Sequence, residues 1–298
     1  MTAASVSAVV VNYNARDHML ECVRSLRADG VADIVVADNG SSDGSADALQ
    51  RSDPDVVWLP TGANLGYGGG ANRGVARAKG DMLLICNPDV VVEPGAVKAL
   101  AAALEGDERL AIVGPRIEDR SGTLYPSPRT FPALAVAFGH GFLGLVAPAN
   151  RFTRRYRMLD WDHGTTGAVD WVSGSCFLVR RTAWEAVGGF DERYFMYVED
   201  VDLCWRASRS GWKVGFEPAA RVLHVQGVST ELAPYRMILE HHRSLLRFAW
   251  RATTGWQRAL LPVVSAGLGV RAVLACGQRA LQSRRSTSRD AGAGQWAR

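Results

Sequence analysis

The sequence predicts an α/β fold built on a mainly parallel central sheet flanked by helices, with a helical extension at the C-terminal end. Three observations predict it. Short apolar runs alternate with segments of helical spacing, the pattern of parallel-sheet proteins. Each apolar run stops in a polar cluster. From Arg236 onward the composition changes to arginine with few acids. At 298 residues, with 47% hydrophobic and 21% charged residues, the chain can bury one large domain and carry an appendage.

The elements follow in order. Ser7 to Asn14 reads as a buried strand that feeds a loop at its carboxyl end. Asp17 to Ala28 has helical spacing through Met19, Leu20, Val23 and Leu26, and stops near Gly30. Ile34 to Ala37 is the next strand, closed by the polar run Asp38 to Gly44, and Ser45 to Arg51 the next helix. Val56 to Leu59 is a third strand. It leads into a glycine-rich stretch, Gly62 to Gly70, read as a flexible loop, and then a helix through Ala78. Met82 to Cys86 is a fourth strand, cut off by Asn87-Pro88-Asp89. Later, Ala111 to Pro115 and Cys176 to Val179 look like strands, with an apolar Gly/Pro-containing stretch, Phe131 to Pro148, between them.

Arg236, Glu240, Arg243, Arg247 and Arg251 share one helical face, with Ile238, His241, Leu245 and Phe248 on another. The expected organisation is a domain over 1–230, an amphipathic helical extension over 231–282 and a disordered tail over 283–298. No run of about 18 uninterrupted apolar residues occurs, so no spanning helix is expected. The N-terminus lacks a basic leader pattern. Five scattered cysteines without a C-x-x-C pair fit a reducing cytoplasm and no disulfide framework. The net charge of +4 divides into +9 from Arg236 onward and −5 before it. An acidic body with an arginine-rich extension points to a polyanionic neighbour, either a membrane surface or nucleic acid, or else to a merely solvated tail. Of these an anionic membrane surface is the expected partner, and no nucleic acid is expected.

Asp38 and Asp89 each sit at the end of an apolar strand, at the sheet edge where open α/β sheets bind ligands. Asn87 and Asp89 offer oxygen atoms to a hard divalent ion such as Mn²⁺ or Mg²⁺, which takes its remaining ligands from phosphates. Gly66 to Ala71 fits G-x-G-x-x-A, but a dinucleotide fingerprint leaves the first strand directly, and this segment follows the third. Its amides and Arg73 are instead expected to approach a diphosphate. Glu199, Asp200 and Asp202 crowd within four residues, an arrangement that raises a carboxyl pKa and suits a general base. His224, taken alone, reads more readily as a structural histidine at a strand end.

These segments together resemble the family 2 glycosyltransferases, in particular their bacterial rhamnosyltransferase-like branch. The resemblance rests on Val9 to Asn14, Ala37 to Gly44, Asn64 to Arg73, Asn87 to Asp89, Gly174 to Arg181, Gly188 to Glu192, Glu199 to Leu203 and His224-x-x-Gly-x-Ser229, in that order. It implies a GT-A nucleotide-sugar fold and an inverting, metal-dependent transferase. Val11, Asn12, Asn14 and Asp38 would hold the base and ribose, with Gly66, Arg73 and Asn87 completing the nucleotide-sugar site. Asp89 would bind the metal, with His224 as a second ligand. Asp200 resembles the catalytic base, with Glu199 beside it. Asn87 departs from the first acid of a strict D-x-D.

The branch suggests dTDP-L-rhamnose as donor and a lipid-linked or growing cell-envelope glycan as acceptor, reached from the inner face of the cell membrane. A sugar-nucleotide pyrophosphorylase would need a G-x-G-T-R-like loop where Asn12-Tyr13-Asn14 stands. A non-catalytic nucleotide-binding scaffold would have no use for a base.

Overall fold

The computed structural model describes residues 4–132, 136, 139, 141, 143, 147, 149–225 and 233–293, with side chains described as far as residue 282. Two compact units result, residues 1–229 and 230–298.

In the first unit β1 (Val6–Asn12), β2 (Asp33–Asp38), β3 (Val57–Pro60) and β4 (Met82–Cys86) run parallel. The remaining strands are β5 (Val90–Val92), β6 (Leu110–Glu118), β7 (Leu124–Tyr125), β8 (Gly167–Val169), β9 (Cys176–Arg180) and β10 (Lys213–His224). The sheet order is β3-β2-β1-β4-β9-β6-β10-β5, with β7 on β6 and β8 on β10. β9 enters antiparallel between β4 and β6, while β6 and β10 pair parallel. The expected α/β sheet is therefore parallel in its N-terminal half and mixed beyond β4.

Helices α1 (Arg16–Ala28), α2 (Ser45–Ser52), α3 (Gly66–Val75), α4 (Ala96–Gly106), α5 (Arg151–Tyr156), α6 (Arg181–Val187) and α7 (Glu199–Arg209) complete this unit. β1 shows why it lies at the centre. Ala8 and Val10 join the core formed with Met19, Val23 and Leu26 of α1 and Leu100 of α4. Val9 and Val11 face α3 on the other side. A strand covered on both faces has to be apolar throughout.

The glycine-rich segment is helix, which corrects the expected flexible loop. A Cβ on Gly70 would stand 2.8 Å from Val11 Cγ1, and one on Gly74 would stand 2.3 Å from Val9 Cγ1. The glycines let α3 lie close against the sheet. That packing outweighs their poor helix propensity.

The second unit holds α8 (Pro234–Ala252), a short 3₁₀ turn (Gly255–Leu260) and α9 (Leu261–Ala293). α8 buries Met237, Ser244 and Phe248 and exposes Arg236, Arg243 and Arg247, as its amphipathic pattern requires. α9 extends to Ala293, past Ser283, where disorder was expected; residues 294–298 lie outside the described residues. The stretch Gly255–Gln282 is long and apolar enough to cross a membrane by length and composition. This corrects the expectation of no such helix, because isolated arginines (Arg258, Arg271, Arg279) interrupt the apolar run without making it polar. Several of its large apolar side chains are open, Trp256 at 76% and Val273 at 72% exposed, while Leu261 is buried.

Candidate functional site

The strand order reverses direction between β1 and β4: β2 and β3 extend to one side of β1, β4 to the other. Such a switch point opens a crevice at the carboxyl ends of the strands. Asn12, Asn14 and the Asp38 loop form one wall, and Asn87-Pro88-Asp89 the other.

On the first wall, Asn12 lies opposite Asp38 in the β1–β2 ladder, both buried. Asp38 Oδ1 accepts from Asn12 Nδ2 at 2.9 Å and from Ser41 Oγ at 2.5 Å. Its Oδ2 accepts from the Gly40 and Ser41 amides. Asp38 is thus occupied in shaping the 38–42 loop. Asn14 Oδ1 accepts from Ser42 N, and Asn14 adopts a left-handed φ of 47° that asparagine tolerates. The carbonyl oxygen of the Asn12 side chain is buried with no partner among the described residues. Val11 packs behind it against α3.

On the second wall the structure brings Asn87, Asp89 and His224 together across 135 residues or more of sequence. The agent is β5: it follows Asp89 directly and pairs antiparallel with the end of β10, His224 opposite Val90. The Val225 amide donates to the Asp89 carbonyl at 3.2 Å and closes the ladder. His224 Nε2 then stands 3.2 Å from Asp89 Oδ1 and 3.2 Å from Asn87 Nδ2. One ring nitrogen cannot donate to a carboxylate while accepting from an amide. Turning the Asn87 amide over replaces its nitrogen with oxygen. The cluster then offers two oxygens and an imidazole nitrogen, the donor set a hard-to-borderline divalent ion takes. Asp89 and His224 are 5% and 8% exposed, so the set is shielded from bulk water. His224 Nδ1 is buried without a partner among the described residues. Gly227 and Ser229 of the same motif lie outside the described residues.

The acidic cluster heads α7. Tyr197 and Val198 just before it have φ of 66° and 70°. A left-handed β-branched valine is strained, and such strain is concentrated at functional sites. Its three acids differ in role. Asp202 is fully buried, accepting from Arg206 Nε at 2.7 Å and from Tyr194 Oη at 3.2 Å, and ties α7 to the 187–194 turn. Glu199 is enclosed, and its Oε2 has no hydrogen-bond partner among the described residues. Burial first, and the Asp200 charge second, push its carboxyl up to about 8. Asp200 remains partly exposed, its Oδ2 accepting from the Gly174 amide and its Oδ1 from the Val201 amide, both at 2.8 Å. Burial raises its pKa, while these amides and the Arg129 charge pull against that rise. Asp200 is the more accessible of the two carboxyls and the one whose charged form is held by backbone amides, which suits it to act as base.

Gly66 and Arg73, both expected at the nucleotide, have partners within the chain. Gly66 gives its amide to Asn64 Oδ1 at 3.0 Å and its carbonyl to Asn39 Nδ2 at 2.9 Å. Its φ of 78°, with a would-be Cβ 2.0 Å from Phe195 O, makes it the seat of the segment leading to Glu199. Arg73 is seven residues, about 10 Å, further along α3. It pairs with Glu192 at 2.8 Å, beside Asn72, which exchanges hydrogen bonds with the Phe190 backbone. Arg73 thus joins α3 to the Gly188–Glu192 turn through a half-exposed ion pair.

Two contributors carried no assigned role in the sequence. Gly174 holds Asp200 and also accepts from Tyr67 Oη at 2.5 Å. Arg129 stands in an aromatic cage nearby. The signal for Gly174 was its place in a motif; Arg129 had none.

The profile described as "Glycosyltransferase like family 2" matches residues 3–244. The chain is 40% identical over 266 residues, 85% of this chain and 86% of the relative, to N-acetylglucosaminyl-diphospho-decaprenol L-rhamnosyltransferase of Mycobacterium tuberculosis. It is 27% identical to rhamnosyltransferase WbbL of Escherichia coli, over 72% of this chain and 81% of the relative. Among solved structures, it resembles a Pyrobaculum calidifontis mannosyltransferase in complex with GDP-Man and Mn²⁺, with a TM-score of 0.58. That likeness, at 15% identity, covers all of this chain and 82% of the other. GalNAc-T7 with UDP, GalNAc and Mn²⁺ gives a TM-score of 0.57 at 16% identity, over 74% and 43% of the two chains. The fold is GT-A, and the chain is a glycosyltransferase of family 2.

Proposed function

We propose that this protein is an inverting rhamnosyltransferase that moves L-rhamnose from dTDP-L-rhamnose to a hydroxyl of a lipid-linked glycan. The acceptor class is an N-acetylglucosaminyl-diphospho-polyprenol. The observation that carries this reading is the 40% identity to a transferase of that name, spread over 85% of the chain. The switch-point crevice, with base and ribose received between the Val11–Asn14 segment and the Asp38 loop, supports it.

Asp89 and His224 would hold a divalent cation, Mn²⁺ or Mg²⁺, with the Asn87 amide turned to present its oxygen. When bound, the cation neutralises charge on the departing nucleoside diphosphate. Asp200 takes the proton from the acceptor hydroxyl as that oxygen bonds to the anomeric carbon. The anomeric carbon–phosphate oxygen bond breaks on the opposite face, and its electron pair leaves with dTDP. A single displacement inverts the configuration.

The open apolar stretch Gly255–Gln282 and the arginines of α8 suit a seat in an anionic cytoplasmic leaflet, where a polyprenyl acceptor resides. Removing the chain after Tyr235 is expected to abolish co-sedimentation with phosphatidylserine vesicles; retained co-sedimentation contradicts the membrane seat.

Calorimetry with dTDP-L-rhamnose tests the site itself. Binding is expected to strengthen with Mn²⁺, to lose that dependence in Asp89→Ala, and to stay within about twofold in Arg73→Gln, whose ion pair is exposed. Equal affinity of the unaltered protein with and without Mn²⁺ overturns the cation assignment.

A further inference from the structure

Arg129 carries a charge that the mechanism so far does not use. Its guanidinium carbon lies 5.4 Å from the ring centre of Tyr125, 5.8 Å from that of Tyr156 and 5.0 Å from that of Trp171. Its Nη2 donates to Tyr125 Oη at 2.8 Å and its Nε to the Pro126 carbonyl at 3.1 Å. Among the described residues the group is held by rings and neutral oxygens, with no carboxylate in an ion pair with it.

The backbone of Arg129 is fixed as well. Arg129 and Trp171 exchange both backbone hydrogen bonds, at 3.0 and 3.2 Å, in an isolated antiparallel bridge. Ser173 N donates to Ser127 Oγ at 3.2 Å and continues the contact. The next residue is Gly174, whose amide holds Asp200 Oδ2. The segment that cages the cation is thus the segment that grips the carboxylate. The positive charge of Arg129 also pulls the Asp200 pKa down, against the burial that raises it.

We propose that Arg129 is a positioning residue for glycosyl transfer: its caged guanidinium supplies the positive charge that Asp200 faces, and its bridge to Trp171 sets the Gly174 amide against the same carboxylate. This rests on the reading of Asp200 as the base. The other ionisable groups around Asp200 cannot take the part. Glu199, Asp202 and Cys204 lie on its own helix, Tyr67 comes from α3 and Tyr156 from α5, and each is neutral or negative.

The test reads Asp200 directly in the full chain. Aspartate labelled with ¹³C at its carboxyl gives a titration, and the Asp200 signal is the one missing in Asp200→Asn. In Arg129→Gln, whose amide nitrogen takes the place of Nε beside the Pro126 carbonyl, Asp200 is expected to titrate about one pH unit or more higher. Arg129→Lys should return it to within about half a unit, because the charge is restored. Arg129→Met serves as a second neutral variant should Arg129→Gln not fold. The acidic limb of kcat for rhamnosyl transfer should move with the titration, while KM for dTDP-L-rhamnose stays within about twofold.

Identical Asp200 titration in the neutral variants and the unaltered protein overturns the proposal, as does a shift in Arg129→Lys equal to that in the neutral variants. Unchanged turnover in Asp200→Asn overturns the base assignment instead, so the two failures are distinguishable.

Discussion

The Gly174 amide donates to Asp200 Oδ2 at 2.8 Å, and a methyl group on Gly174 would stand 3.0 Å from Asp200 Cβ and 3.2 Å from Oδ2. The proposed base is therefore aimed by a backbone group on a residue where even a methyl group would press on the carboxylate.

Gly174→Ala is accordingly expected to displace the Asp200 carboxylate by a few tenths of an ångström. Turnover should fall by about 10- to 100-fold, since positioning errors of this kind are costly in catalysis. The melting temperature should change little, because the neighbouring atoms belong to a side chain. A melting temperature that collapses together with activity would make Gly174 a folding residue only.

Gly66 and Gly95 make a matched pair for the second prediction. Both have left-handed φ, 78° and 86°, but a Cβ on Gly66 meets the Phe195 backbone at 2.0 Å while one on Gly95 meets nothing within 4 Å. Gly95→Ala should cost about 1–2 kcal/mol, the conformational term alone. Gly66→Ala adds a backbone collision and should cost more than about 4 kcal/mol. Urea midpoints measure the difference; equal costs would mean that the 195 segment yields without penalty.

Glu199 gives the third. Its carboxyl is raised to about 8 in the folded protein, against an ordinary value of 4.5. The folded state therefore holds this proton more tightly than the unfolded chain does, and stability falls as pH rises from about 5 to 8. The raised Asp200 contributes in the same direction. Glu199→Gln should flatten this slope in urea titrations at fixed pH steps, whereas an unchanged slope would place the buried proton elsewhere.

Much of the framework was legible in the sequence because it depends on local apolar runs. β1, β2, β4 and β9 are buried on both faces and announce themselves. α4 passed without notice although Leu100 and Leu104 are four residues apart, because its alanines offer little polar contrast. β5, β7 and β8 are two or three residues long, and their pairing partners define them. The glycine run misled for the opposite reason: composition suggested a loop, while close approach to Val9 and Val11 makes it helix.

The site divides along the same line. Asp38 and Asp89 could be placed at the sheet edge from strand ends alone. The approach of His224 to Asp89 needs the β5–β10 ladder, and only the family pattern anticipated it. Arg73 sits inside a correct motif, yet its partner Glu192, 119 residues away, claims it.

Transfer itself is the most direct measurement. The full chain, incubated with dTDP-L-rhamnose, an N-acetylglucosaminyl-diphospho-polyprenol in vesicles and Mn²⁺, is expected to give a rhamnosylated lipid whose anomeric configuration, read by NMR, is inverted from the donor. Asp200→Asn should lower that rate by about 10²- to 10⁴-fold, the usual contribution of a general base. Retained configuration, or no transfer to this acceptor while another nucleotide sugar is consumed, would contradict the account.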